Sequence, residues 1–396
     1  MRILVSDYSG HAFPVQLSRA LAARGHRVCH VSAASFPTPK GRLATDAADP
    51  AGFASVQVQT RRPFAKDSFV RRRSQEIELG KAIAGEIARF APDVVISGNV
   101  PLDAQRYIRR AALGVDAAFV FWVQDLYSDA IGRILRSRLG MAGGLIGRLY
   151  AAIEARLLRS SDHVVVIAPA FVTPVQQLSG VSTERITTIP NWAPIDELPR
   201  LSRENAWVTA NLAAAPMRLV YSGTLGFKHN PELIAAIARA LPVRVEVFSE
   251  GAAAEALAAT AAREQLNLAV RGWLPFADLP AALAGADLLL VILEPDAGEF
   301  SVPSKVLTYL AAGRPILGAM PRDNLAAQLI EQNGAGLVVA PDDLPGLIAA
   351  GRRLIGDPDL RMRAGDAGRA YAERTFAIED IADRFEAICT TVERRR

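Results

Sequence analysis

Short, unbroken apolar runs recur along the whole chain, and helix-like stretches separate most of them. We predict strands from these runs at 2–6, 27–32, 55–59, 93–97, 117–123, 163–168, 186–190, 218–223, 245–249, 268–273, 286–293, 314–319 and 336–340. A strand that is apolar on both faces must be covered on both faces, which is typical of parallel sheets joined by helical crossovers. The pattern therefore predicts an α/β protein with doubly wound, Rossmann-like parallel sheets.

The pattern occurs twice, with a polar, proline-bearing break at 191–217. A chain of 396 residues is also too long for one ordinary hydrophobic core. We therefore predict tandem domains at 1–195 and 196–375, followed by an amphipathic helix at 376–396 that packs back toward the first domain. Ligands of such folds bind outside the carboxyl ends of the strands, so we expect the functional site in an interdomain cleft.

Several common classes of protein are excluded by missing motifs. The loop after the first strand, DYSGHAFP, has one glycine where a dinucleotide fingerprint needs three. The chain has neither the GxxxxGK(S/T) pattern of P-loop proteins nor a GxSxG elbow. Its two cysteines lie far apart and its five histidines are scattered, so we expect no protein-built metal site.

The charge and hydropathy of the chain limit its location and its partners. No stretch has the pattern of a secretory signal or a membrane-spanning helix, which predicts a cytoplasmic protein. The formal net charge is only +4, which gives no reason to expect nucleic acid as a partner.

The stretch SVPSKVLTYLAAGRPIL at 301–317 has the pattern of a helix that begins at a proline and ends at a glycine. Pro303 suits a first helical turn, and Gly313 suits a helix stop. The free N–H groups of a first turn attract anions, and Lys305 adds a positive charge beside them. We therefore predict a phosphate site at this helix start. The alternative is a plain core helix.

Three other predicted strand ends converge on the same edge of the second domain. Gly223 ends the first of these strands and Lys228 follows it, Glu250 follows the second, and Trp273 ends the third. Glycines let a backbone approach a ligand closely, and lysines can neutralise a diphosphate. A carboxylate can hold a ribose diol, so these ends together predict a nucleotide site. Taken alone, Lys228 also fits an ordinary solvated lysine with no role in binding. Trp273 alone also fits a residue that only packs in the core.

These residues resemble a known family. The segments YSGTLG with a following lysine, SEG, RGWLPFADLPAALAGADLLLVIL and SVPSKVLTYLAAGRPIL resemble the nucleotide-sugar domain of family 4 glycosyltransferases, which have the GT-B fold. WVQDLYSDA and HVVVIAPAFVTPV, with the later ITTIPNWAP, are similar to members that assemble bacterial O-antigen, colanic acid and exopolysaccharide. The resemblance covers nearly the whole chain.

The resemblance implies a retaining transferase that needs no metal or other cofactor. It would move a sugar from a nucleotide-sugar donor, with UDP favoured, to a lipid-linked or saccharide acceptor bound by the first domain. Its implied catalytic residues are Lys228, Lys305, Asp125 and His11. Its implied donor-binding residues are Gly10, Gly223, Thr224, Glu250, Trp273, Ser301, Val302, Ser304 and Thr308. Gln124 and Asp125 are equally compatible with a cap on the following helix.

Two departures from the family pattern keep alternatives open. Many members carry two glutamates before the helix-ending glycine; here Thr308 and Phe300 occupy those positions, and Glu294 and Glu299 are out of register. Thr224 stands where members have an arginine. A catalytically weak nucleotide-sugar-binding subunit and a GT-B sugar-nucleotide epimerase are therefore the alternative functions.

Two stretches of the first domain are both basic and apolar. The segment at 61–73 has six cations and two phenylalanines, and the segment at 131–159 has six arginines and a single acid. Such composition suits a helix lying on anionic lipid. Through Arg61–Arg73 and Ile131–Arg159 we predict peripheral binding to the inner face of the cytoplasmic membrane. The alternatives are solvated faces or sites for an acidic partner.

Overall fold

The computed structural model describes residues 1–34, 41–61, 69–226, 229–295 and 304–395. The chain divides into two compact units by its internal contacts. Unit 1 comprises Met1–Asn191 and Ile378–Arg396, and unit 2 comprises Trp192–Ala377.

Unit 1 is built on a parallel sheet whose strands the sequence predicts. Its described strands are β1 (Arg2–Asp7), β2 (Arg27–Ala33), β3 (Phe53–Val58), β4 (Val94–Gly98), β5 (Ala118–Val123), β6 (His163–Val166) and β7 (Ile186–Thr188). They pair in the order β3-β2-β1-β4-β5-β6-β7. The order reverses between β1 and β4, which is the point where a doubly wound sheet offers a ligand site at its carboxyl edge.

Helices cover both faces of this sheet. In the described part of unit 1 they are α1 (Ala12–Ala23), α2 (Phe69–Phe90), α3 (Leu102–Gly114), α4 (Tyr127–Ser160) and α5 (Val172–Ser179), together with a C-terminal helix at Ile378–Arg394. The central strands β4 and β5 are buried along their whole length, as unbroken apolar runs require.

Unit 2 repeats the same design. Its described strands are β8 (Arg218–Ser222), β9 (Arg244–Phe248), β10 (Leu268–Arg271), β11 (Leu288–Ile292), β12 (Ile316–Ala319) and β13 (Gly336–Val339). They pair in the order β10-β9-β8-β11-β12-β13, so the reversal falls between β8 and β11. Every strand pair of both sheets runs parallel among the described residues. The prediction of two doubly wound sheets is therefore confirmed.

The helices of unit 2 begin before its first strand. They are α6 (Ala206–Asn211), α7 (Pro231–Ala240), α8 (Ala252–Arg263), α9 (Leu279–Ala284), α10 (Ser304–Ala312), α11 (Leu325–Gln332), α12 (Leu344–Gly356) and α13 (Pro358–Thr375). The polar break at 191–217 thus contains regular structure and buried residues. The Asn205 side chain caps α6, and Trp192 is almost fully buried. The sequence analysis did not predict α6, because its six residues are too few to show the helical periodicity of apolar side chains.

The C-terminal helix, α14 (Ile378–Arg394), packs on unit 1. Phe385 is fully buried, and its ring lies 4.9 Å from the ring of Trp122 on β5. Arg24, just after α1, pairs with Glu379 at 2.7 Å and with Asp383 at 2.8 Å. The helix therefore closes one face of the unit 1 core.

Helix α4 is a helical hairpin rather than one straight helix. Gly140 interrupts it with a φ of 56° and a ψ of −128°, a conformation that only glycine adopts readily. Glycines also let the two arms, 127–139 and 141–160, touch: a Cβ added to Gly147 would lie 2.8 Å from the Cα of Gly132. Among the described residues, no helix combines the length and apolar character needed to cross a bilayer.

Replacing Phe385 by alanine should destabilise unit 1 by about 3–5 kcal/mol, because it empties a fully buried aromatic site against Trp122. Urea unfolding followed by circular dichroism measures the change. Met362→Ala, at a side chain that is 58% exposed in unit 2, is the control and should shift stability by less than about 0.5 kcal/mol. Equal unfolding midpoints for the two variants would show that Phe385 adds nothing to the stability of unit 1.

Candidate functional site

The carboxyl edge of the unit 2 sheet brings several predicted residues together at the β8–β11 reversal. The loop after β8 turns at Gly223, whose φ is +132°, and the loop after β9 turns at Gly251, whose φ is +101°. A Cβ on Gly223 would lie 3.3 Å from Nζ of Lys305, in the first turn of α10. The glycine loop and the lysine are therefore direct neighbours.

Lys305 is held against an aromatic ring. Its Nζ donates a hydrogen bond of 2.6 Å to Oη of Tyr221 and lies 3.9 Å from the centroid of that ring. Burial lowers the pKa of Lys305 from its ordinary value of 10.5 to about 7. Because this pKa lies near neutral pH, the amine can take up a proton when an anion binds beside it.

Tyr221 and Tyr309 fix the lysine and the loop, and sequence reasoning missed both. Oη of Tyr221 donates to the carbonyl oxygen of Thr224 at 3.0 Å. Oη of Tyr309 accepts from the Ser222 N–H at 2.8 Å, which ties α10 to the end of β8. The available signal was the spacing of Lys305 and Tyr309, which puts both on one face of a helix.

Glu250 and Trp273 meet at the next two strand ends. Oε1 of Glu250 accepts a hydrogen bond from the Trp273 N–H at 3.1 Å, although the Glu250 side chain is exposed. Gly272 leaves room for this contact, since a Cβ there would lie 3.0 Å from the same oxygen. Trp273 is half-buried, so core packing does not account for the whole side chain.

The remaining donor-side predictions are divided between described and undescribed residues. Ser304 is exposed at the start of α10, and the Thr308 hydroxyl donates to the Ser304 carbonyl at 3.3 Å. Glu294 is half-buried just after β11. Lys228, Glu299, Ser301 and Val302 lie outside the described residues.

The carboxyl edge of unit 1 has its own polar loop at the β1–β4 reversal. The buried Asp7 carboxylate accepts from the N–H groups of Ser9 and His11, and Gly10 between them has a φ of +68°. Asn99, after β4, has a φ of +52° and donates to the Ser9 hydroxyl at 3.1 Å. This places Gly10 and His11 on a loop braced from a neighbouring strand end.

The end of β5 contributes Gln124 and Asp125. Gln124 is buried, and its Nε2 has no hydrogen-bond partner among the described residues. Asp125 is exposed. The start of α4 is capped from a distance instead: the buried Glu154 carboxylate accepts from the N–H groups of Tyr127 at 3.1 Å and Ser128 at 3.0 Å. Burial raises the pKa of Glu154.

A second polar cluster next to this edge was not predicted. Arg72 donates to Oη of Tyr8 at 2.6 Å and to Glu76 at 2.8 Å. Arg73 donates to the buried Asp103 carboxylate at 3.2 Å. These two arginines belong to the predicted membrane segment Arg61–Arg73, of which residues 62–68 lie outside the described part of the chain. The structure gives both arginines partners inside unit 1, and membrane binding by this segment stays a prediction. Their pairing arises from contacts between α2, α3 and the first loop, which no local pattern reveals.

Two family models match the chain. The Glycosyl transferase 4-like domain matches residues 12–192, and Glycosyl transferases group 1 matches residues 216–357. Together they cover most of the sequence, and each falls almost wholly on one unit. The chain belongs to the family 4 glycosyltransferases.

The curated relatives of this protein include two bacterial glycosyltransferases. It is 26% identical over 309 residues to WcaI, a colanic acid biosynthesis glycosyl transferase of Escherichia coli, and the match covers 75% of this chain and 74% of WcaI. It is 27% identical over 261 residues to the glycosyltransferase WbjE of Pseudomonas aeruginosa, with 63% of each protein covered. This protein is therefore a glycosyltransferase enzyme of bacterial polysaccharide biosynthesis.

Solved structures share the fold of this glycosyltransferase. Sucrose-phosphate synthase of Thermosynechococcus elongatus matches with a TM-score of 0.77 at 15% identity, covering 100% of both chains. HepE of Anabaena, in complex with UDP, matches with a TM-score of 0.70 at 15% identity, covering 99% of this chain and 100% of HepE. The fold is GT-B, as the resemblance implies.

The pH dependence of stability tests the environment of Lys305 in this glycosyltransferase. Between pH 7 and the ordinary lysine pKa of 10.5, the unfolded chain binds more protons than the folded one. The free energy of unfolding contributed by the lysine therefore rises with pH across that window. We expect wild type to gain stability relative to Lys305→Met above pH 7 and to show a constant difference below it.

Urea denaturation of both proteins over a pH series measures this difference. Lys81→Met, which removes an exposed lysine of α2, is the control. A difference between wild type and Lys305→Met that stays constant from pH 6 to 10 would contradict the lowered pKa.

Proposed function

We propose that this glycosyltransferase transfers a sugar from a UDP-sugar, with retention of configuration and without a metal, to a lipid-linked or saccharide acceptor. The observation that carries the proposal is the pairing of Gly223 with Lys305 at the β8–β11 reversal. A half-buried lysine beside a glycine turn is suited to a diphosphate, since the backbone can approach closely and the ammonium supplies charge. HepE, a fold neighbour, has been solved with UDP and with UDP-glucose.

The proposed donor site extends along the unit 2 edge. Lys305, together with Lys228, stabilises the charge that builds on the departing diphosphate. Glu250 accepts from the ribose hydroxyls, and Trp273 borders the base. Ser301, Val302 and Ser304, with the loop at Gly223 and Thr224, approach the phosphates. Thr308 stands where many family members carry a carboxylate, and Glu250 is the acid that accepts from the Trp273 N–H at the neighbouring strand end.

The proposed acceptor site lies at the unit 1 edge. Gly10 and His11 sit on the loop that Asp7 and Asn99 brace, and Asp125 follows β5. Retention without a covalent intermediate requires the acceptor to attack from the face that the diphosphate leaves. A donor phosphate oxygen then receives the acceptor proton, so positioning and charge stabilisation replace a strong general base.

The proposal requires no metal ion, because the cations at the donor site would balance the diphosphate. Within the described residues, no three side chains of the metal-binding types lie close enough to hold an ion. Transfer and UDP binding should therefore persist in EDTA.

We also propose that the enzyme binds the membrane surface from the cytoplasmic side through Ile131–Arg159. Five of its large apolar side chains are more than half exposed on the α4 hairpin, Ile134, Leu139, Met141, Leu145 and Leu149. Exposed arginines flank them. A lipid-linked acceptor would be presented at that surface.

Binding to anionic vesicles should weaken as salt is added, and binding that salt does not change would contradict the electrostatic part of the proposal.

Calorimetric titration with UDP in EDTA tests the donor site. Lys305→Ala should weaken UDP binding by about tenfold or more, because a charged hydrogen bond to the diphosphate is lost. Lys81→Ala, which removes an exposed lysine in unit 1, is the matched control and should bind like wild type. Equal affinity in the two variants would remove Lys305 from the site, and tighter binding of GDP than UDP would reassign the donor base.

Proton NMR of the product tests the stereochemistry. With a UDP-α-sugar donor and a short polyprenyl-diphosphate-linked saccharide acceptor, we expect the new linkage to keep the α configuration, visible in the anomeric coupling constant. The same product should form at an unchanged rate in EDTA. A β-linked product would contradict retention, and loss of turnover restored by a divalent cation would contradict metal independence.

A further inference from the structure

The two arms of the α4 hairpin border an open surface cavity of about 340 Å³. Three glycines and three arginines are among the residues that line it: Gly132, Gly144, Gly147, Arg133, Arg136 and Arg148. The glycines add no side chains, so they leave room for a concave space whose lining includes three guanidinium-bearing residues.

The charges around this cavity are only partly balanced. Arg133 pairs with Asp129, one turn away, at 2.9 Å. Arg136 and Arg148 are exposed, and neither makes an ion pair with any other described residue. Two guanidinium groups without an ion pair in the lining of a cavity are suited to a phosphate, which arginine can bind in bidentate fashion.

The surface next to the cavity is apolar rather than polar. Met141, at the tip of the hairpin, is 94% exposed, and Leu145 in the following turn is 69% exposed. Side chains of this size are seldom left in water as a group unless they meet another apolar phase. A soluble anion would use the arginines and leave these side chains in water, whereas an anionic lipid would use both.

We propose that the cavity between the α4 arms binds the phosphate group of a membrane lipid while the hairpin tip enters the acyl boundary. Arg136 and Arg148 contact the phosphate, and Met141 and Leu145 anchor the tip. This inference rests on the proposed membrane binding and deepens it, because it assigns one lipid headgroup to a built site rather than to a diffuse basic face.

Sedimentation of the full-length protein with vesicles tests the inference. The vesicles contain phosphatidylcholine alone or phosphatidylcholine mixed with phosphatidylglycerol. The double variant Arg136→Gln/Arg148→Gln should bind the mixed vesicles about twenty-five-fold more weakly than wild type, since each arginine at an anionic surface contributes about a fivefold factor. The matched control, Arg352→Gln/Arg353→Gln, removes the same charge from exposed positions of α12 in unit 2 and should bind nearly like wild type.

A tip variant separates a lipid from a soluble phosphate. Leu145→Ser should weaken binding to mixed vesicles and leave unchanged the calorimetric affinity for inorganic pyrophosphate, measured with UDP saturating the proposed donor site. If Leu145→Ser binds vesicles like wild type while pyrophosphate still requires the two arginines, the cavity takes a soluble anion and the lipid assignment is overturned. Every changed side chain is exposed, so circular dichroism should show an unaltered fold.

The remaining outcomes separate this inference from the proposed function. If wild type binds neither kind of vesicle, membrane binding itself fails. If wild type binds mixed vesicles but both double variants lose affinity equally, membrane binding stands and the phosphate site is overturned. Equal binding of wild type to vesicles with and without phosphatidylglycerol would also overturn it, because no anionic headgroup would then be needed.

Discussion

Parallel pairing is the constraint on which the rest of this structure depends. A strand that pairs in parallel with its neighbour cannot be joined to it by a tight turn, so the chain must return through a crossover, and here most crossovers are helices. Each crossover starts from the same edge of its sheet. As a result, the loops after β1, β4 and β5 gather at one edge of unit 1, and those after β8, β9, β10 and β11 at one edge of unit 2. Most residues of the proposed sites lie on these loops or at the start of the helix that follows, because connecting segments carry the side chains that face a ligand.

The sequence was most informative where the signal is local. All thirteen predicted strands overlap strands of the structure, because a strand buried on both faces is an unbroken apolar run whatever its neighbours are. Gly313, with a φ of +66°, ends α10 as its position in the pattern predicts. The neighbouring positions of Gly223 and Lys305 also followed, since both were placed at the carboxyl edge of one sheet.

The unpredicted parts of the site depend on contacts between distant segments. Lys305 contacts Tyr221, which lies 84 residues away in the sequence. Glu154, in the second arm of α4, caps the first N–H groups of the same helix from 27 residues away. Such pairs meet only once the sheets and helices are assembled. The turn of α4 at Gly140 was also missed, because a glycine in an arginine- and leucine-rich helix pattern does not by itself indicate a reversal. The reversal depends on packing between the two arms, through the contact of Gly132 with Gly147.

The position of α14 has a consequence for how the protein is made. The chain leaves unit 1 after Asn191 and rejoins it at Ile378, so unit 2 is an insertion within unit 1. During synthesis, all of unit 2 is made before Phe385 and the rest of α14 can cover the apolar surface around Trp122. Unit 1 is the part of the nascent protein that exposes apolar surface longest, although it is begun first.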